Sequence, residues 1–249
     1  MLAHRLSHAS TRPSVLLVEA GVKPDGDYLR AHYHRYHAAV LRPDLDHGYV
    51  SVPQKNLDGR TIPYTRGRGL GGCSILNFAV YLYGSGEDYN RWAEIVGDDS
   101  WRWEHVQKSF QVIEEFETEG AKQYAHLSKP DPKDHGHNGV VKVTLPPVLE
   151  EGMAPTMEAL IRNGEKINLD PNSGDPIGIS IFPASYSKDG RTTSAIAHLV
   201  DPPDNLEIWT GATVTQLRFE GKKVIGIETA DGRKGMGRKG LMRSLLTRS

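Results

Sequence analysis

The sequence predicts a mixed α/β fold, and three stretches carry that expectation. Residues 14–21 (SVLLVEAG) are short, continuously apolar and closed by glycine, the pattern of a parallel strand covered on both faces. Residues 66–77 (RGRGLGGCSILN) crowd glycines ahead of an apolar, helix-like run. Residues 205–229 hold three strand candidates separated by turn residues.

Composition sets the outer limits. A chain of 249 residues, 38% apolar, makes one large domain or two small ones. A net charge of −1 argues against an obligate nucleic-acid or membrane-surface partner. The single cysteine excludes an internal disulfide framework. No apolar run reaches the roughly 18 residues of a bilayer span. The opening MLAHRL does not have the length or polarity pattern of a signal peptide.

Along the chain, Leu2 and Leu6 stand four apart and Thr11-Arg12-Pro13 stops the pattern, so residues 1–9 read as helical turns. The strand at 14–21 carries Glu19 at its carboxyl end. An acid there accepts hydrogen bonds from a ribose in dinucleotide-binding folds, and is otherwise a solvated strand-end carboxylate. Residues 22–65 are loop-rich. His32, His34, His37 and His47 fall there without a cysteine, which favours a polar loop over a metal site. Val106, Phe110, Ile113 and Phe116 recur at helical spacing and predict an amphipathic helix of about four turns. His135 and His137 sit in a turn entering a strand at 140–144, a setting that favours turn residues over ligands. Met157, Leu160 and Ile161 mark a further helix within 153–167. Residues 205–210, 213–219 and 224–229 read as a meander, with a hairpin turn at 220–223.

The glycine-rich stretch has the most chemistry. Its backbone can take positive φ, expose successive N–H groups and let a bulky ligand approach, although a tight turn before a buried helix explains the composition equally well. Arg66 and Arg68 add forked donors suited to a pyrophosphate. The order Gly67-Arg68-x-Leu70-Gly71-Gly72-x-Ser74-x-x-Asn77, followed by Tyr81 and Gly84, resembles the first signature of the glucose–methanol–choline flavoprotein oxidoreductases. Residues 86–93 and 101–106, the segment from Gly190 to Leu199, and Asn205-Leu206-x-Ile208-x-Thr210-x-x-x-Val214 extend the resemblance over residues 1–232.

The resemblance implies a doubly wound, Rossmann-like FAD-binding domain with interleaved substrate-domain segments. It implies that Glu19, Arg68, Gly71, Gly72, Cys73, Asn77, Phe78 and Val80 line the cofactor, and that the backbone of Val214 holds the adenine edge. Cys73 replaces the Gly, Ser or Thr of the family pattern. A thiol is close to a hydroxyl in size, so the geometry survives the exchange. The family activity is transfer of a hydride from an alcohol CH–OH group to FAD, with a histidine far along the chain as base. None of the eleven histidines here has a matching context, so no catalytic residue is assigned and no metal is expected.

The same resemblance implies that the chain starts late, after the first strand and its G-x-G-x-x-G turn. Residues 233–249, with six basic residues and no acidic one, read as an atypical tail without ordered structure. The expected function is therefore FAD-dependent oxidation of a small alcohol, with the isolated chain inactive and a weak flavin binder. The competing readings are a non-catalytic remnant serving as an interaction module and, through the basic tail, a nucleic-acid binder.

Overall fold

The computed structural model describes residues 1–24, 26 and 42–237; His32, His34 and His37 lie outside them. The chain divides into two compact units, residues 1–78 with 193–249, and residues 79–192. The second interrupts the first, as the interleaving implied.

The first unit opens with helix α1 (Leu2–Ser7) and strand β1 (Val15–Val18). Arg12, at φ 39°, turns the chain between them ahead of Pro13. The glycine-rich stretch forms a short 3₁₀ turn over Gly72–Ile75, tighter than the helix-like run expected there. Leu45, Ile75 and Leu76 bury together beneath it.

In the second unit, helix α2 (Gly86–Val96) has Glu87 and Asp88 in its first turn and ends at Gly97 in the left-handed conformation. Helix α3 (Trp103–Ile113) is shorter than its periodicity suggested. Phe116 belongs to strand β2 (Glu114–Glu117), which pairs in parallel with β3 (Val141–Thr144). A tertiary contact sets that helix end. Gly136 and Gly139 cross it so closely that added Cβ atoms would lie 2.0 Å from the Gln111 oxygen and 2.1 Å from the Ile113 carbonyl carbon. Their backbones then take over hydrogen bonding: Gly139 N–H donates to Glu114 O at 2.8 Å, and Phe116 N–H to Gly136 O at 2.9 Å. Helix α4 (Met153–Arg162) packs Met157 into a core with Phe116, Tyr124, Leu127, Val143, Leu145 and Ile181. Two short strands, β4 (Tyr186–Ser187) and β5 (Gly190–Arg191), close the unit.

The chain returns to the first unit through helix α5 (Ser194–His198) and strand β6 (Leu206–Trp209). β6 is not part of the meander that the sequence suggested. It pairs in parallel with β1, Val15 opposite Leu206 through Val18 opposite Trp209. The antiparallel sheet comprises β7 (Val214–Glu220), β8 (Lys223–Thr229) and β9 (Lys234–Met236). Pairing thus continues past the boundary expected at residue 232. The anchor is Arg233, whose guanidinium lies over Trp209 and reaches the carbonyls of Thr210 and Gly211 at 3.4 and 3.3 Å. Among the described residues, no helix is long and apolar enough to cross a membrane.

Leu145 is 1% exposed inside the second unit's core, whereas Val148, three residues on, is 73% exposed. Leu145→Ala is expected to cost about 2–5 kcal/mol in urea denaturation, and Val148→Ala less than about 0.5 kcal/mol. Equal midpoints for the two variants would remove Leu145 from the core.

Candidate functional site

Glu19 follows β1 directly and continues its pairing, its N–H donating to Trp209 O at 2.8 Å. Its carboxylate accepts the Gly21 N–H at 2.8 Å. A carboxylate offers about four acceptor positions, so this bond fixes the side chain at the strand end while leaving acceptor capacity. Gly21 is the crossing point of the site. Its carbonyl accepts from Gly211 N–H at 2.7 Å, and Ala212 N–H donates to Glu19 O at 2.9 Å. On its other side, a Cβ at Gly21 would stand 2.3 Å from the Arg68 oxygen. Val22 then bridges Gly69 in parallel, with Leu70 N–H donating to Val22 O at 2.9 Å.

Three segments distant in sequence therefore meet: the end of β1, the glycine-rich turn, and the loop that leads into β7 at Val214. Gly71 and Gly72 both hold positive φ, 115° and 56°. An added Cβ at Gly71 would press Ile75 at 2.8 Å, whereas at Gly72 it would meet nothing within 4 Å. The backbone at Gly72 thus faces open space, and Cys73, Asn77 and Phe78 beyond it are exposed. Phe78 is 58% exposed, a large apolar surface beside an open backbone.

The turn is fastened by two serines that sequence reasoning gave no role. Ser74 Oγ donates to Gly71 O at 2.6 Å and accepts Ser194 N–H at 2.9 Å. Ser194 Oγ donates to the same Gly71 carbonyl at 3.0 Å. Both serines fall in stretches that carry the resemblance, but the pairing of Ser74 with Ser194 spans 120 residues and has no local signal.

The two arginines differ. The Arg66 guanidinium lies 3.7 Å from the Tyr64 ring centroid and donates to Thr65 O at 2.6 Å. Arg68 is exposed, its backbone held by Leu45 O at 2.6 Å, and is the better placed of the pair to meet an anion from solvent. Val80 belongs to the other unit, where it bridges Ala184 and is exposed. His47 stacks on Tyr49 at 5.1 Å. The described residues hold no group of three or more His, Cys, Asp or Glu arranged for a metal.

An acid at the end of a parallel strand, beside a glycine turn with an open backbone, is the arrangement of α/β domains that bind nucleotide cofactors. The donor set fits a large flavin nucleotide: an acceptor for a ribose, an open turn, and exposed apolar surface for a planar ring. A family model of GMC oxidoreductases matches residues 9–244, and the chain belongs to that family.

Pyridoxine 4-oxidase of Microbacterium luteolum is 32% identical over 92% of this chain and 43% of its own length. An oxygen-dependent choline dehydrogenase of Staphylococcus saprophyticus is 32% identical over 86% of this chain and 37% of its own. Among solved structures, an FAD-dependent oxidoreductase from Chaetomium thermophilum superposes with a TM-score of 0.80 at 25% identity, over 94% of this chain and 41% of that one. A pyridoxine 4-oxidase crystal structure gives 0.78 at 28% identity, over 94% and 45%. The chain spans less than half the length of these relatives.

Gly21→Ala is expected to lower stability by about 1–3 kcal/mol, because its Cβ must displace backbone rather than a flexible side chain. Thermal melts of the variant check this. A change below about 0.5 kcal/mol would mean that β1 and the glycine turn do not touch at Gly21.

Proposed function

We propose that this chain forms the flavin-binding region of an FAD-dependent oxidoreductase acting on the CH–OH group of small alcohols. The observation that carries the reading is the convergence of Glu19, the Gly69–Gly72 turn and the Val214 loop around Gly21. In this proposal Glu19 accepts from a ribose hydroxyl, Gly71 and Gly72 let the cofactor lie against bare backbone, and Arg68 answers its phosphate charge. Cys73, Asn77 and Phe78 line the ring end, and the Val214 backbone pairs with the adenine edge. When bound, FAD supplies the two-electron acceptor for alcohol oxidation.

The chain's own groups bind, orient and exclude water; no residue here is assigned the proton transfer. The relatives' names cite pyridoxine, choline and pyranose. They support small hydroxylated molecules as the substrate class without selecting one. The family region is proposed to run past residue 232, a reading supported by the pairing of β9 and by the family match to residue 244.

Titrating FAD into the full chain while following flavin fluorescence tests the reading. Saturable binding is expected, with Glu19→Ala weakening it by about 1.5–3 kcal/mol, the scale of a hydrogen bond to a charged acceptor. That corresponds to roughly 10- to 150-fold in Kd. An unchanged Kd removes Glu19 from the site, and no saturable binding overturns the cofactor assignment for this chain.

A further inference from the structure

The 79–192 unit holds a buried cluster of ionisable side chains outside the residues proposed for the flavin. The His135 side chain is fully buried between two carboxylates. Its Nδ1 lies 3.4 and 3.3 Å from the two Glu114 oxygens, and its Nε2 lies 3.2 Å from Asp170 Oδ2. Its ring stacks on Phe116 at 3.9 Å.

The contacts continue into a closed ring. Glu114, also fully buried, accepts from the Tyr83 hydroxyl at 2.5 Å and from Gly136 N–H at 2.7 Å. Asp170 Oδ1 accepts Asn172 N–H at 2.9 Å. The Asn172 amide returns to the start, its Oδ1 accepting Tyr83 N–H at 2.9 Å and its Nδ2 donating to Tyr81 O at 3.1 Å. Four separate stretches are thereby tied together: β2, the turn holding His135, the 168–174 turn and residues 81–83.

Chemistry fixes the state of this ring. An ionised carboxylate only accepts, and a neutral imidazole has one donor and one lone pair. With an ionised carboxylate at each nitrogen, a neutral ring would aim its lone pair at negative charge, so the geometry favours a proton on both nitrogens. We propose that His135 is a proton-operated latch: charged, it closes β2 onto the 168–174 turn and residues 81–83; deprotonated, it releases them.

Burial alone disfavours the imidazolium, but hydrogen bonds to Asp170 and then Glu114 outweigh it and raise His135 to about 9. The other ionisable groups around it do not take over its role. The Tyr81 and Tyr83 phenols are pushed well above their ordinary range, by burial first and then by Glu114. At the 132–134 turn, the capping Asp131 is held low chiefly by Lys133, and Asp134 is bonded to Gln107 at 3.2 Å. From α3, Phe110 stacks on Tyr83 at 4.4 Å and Gln111 donates to Lys133 O at 2.9 Å, and neither carries a charge. Because the folded value is raised, the latch contributes fully below the ordinary histidine value of about 6.5 and is lost as pH rises through about 9.

Two measurements on the full chain test this. Nitrogen NMR of the histidines, assigned through bonds, is expected to show His135 doubly protonated at pH 7 with a midpoint near 9; a midpoint at or below the ordinary value overturns the latch. Amide exchange, corrected for intrinsic base catalysis, is expected to lose about tenfold or more protection at Tyr83, Gly136 and Asn172 between pH 7 and 10, while Val143 stays protected. His135→Gln is expected to show the faster exchange already at pH 7. Equal pH dependence at Val143, or none at the three ring amides, refutes the proposal. Should the variant not fold, the unmodified chain still decides.

Discussion

No side chain fits at Gly21, and the first unit depends on that. Its amide is taken by the Glu19 carboxylate, its carbonyl by Gly211, and the space beside its α-carbon by the Arg68 carbonyl. Each contact fixes a different segment, so one bare residue sets the spacing of strand end, glycine turn and returning loop. The turn can rest on backbone because Ser74 and Ser194 supply the hydrogen bonds that a longer side chain would otherwise block. A site built this way tolerates change in its side chains. Cys73 in place of a hydroxyl or hydrogen alters little when the neighbouring backbone does the shaping.

The second unit solves a different problem. Glu114 is a fully buried carboxyl group at the end of a helix, a placement that is costly unless its acceptor positions are used. Tyr83, Gly136 and His135 use them, and the glycines at 136 and 139 bring the partners close enough. The helix stops because Glu114 and Phe116 gain more from the strand and the buried cluster than from another turn. Local periodicity and tertiary pairing compete there, and pairing wins.

Much of this was legible in the residues. The apolar run ending at Glu19, the spacing of Leu2 and Leu6 and the hairpin residues 220–223 each dictate their local geometry, because backbone sterics and alternate burial act over a few neighbours. The glycine signature specified both the family and the positive φ values at Gly71 and Gly72.

What only the tertiary structure decided is the choice of partner. The residues of β6 suit an antiparallel meander or a parallel pair equally well; Gly211 and Ala212, held by Gly21 and Glu19, turn the chain so that β6 lies beside β1. His135 looked like one turn histidine among eleven, since a sequence does not display two carboxylates arriving from 21 and 35 residues away. Ser194 and Arg233 gain their roles in the same way. Sequence fixes what each residue can offer, and long-range closure decides which offers are taken up, because hydrogen-bond complementarity in a dry interior depends on groups that meet only after the chain has folded.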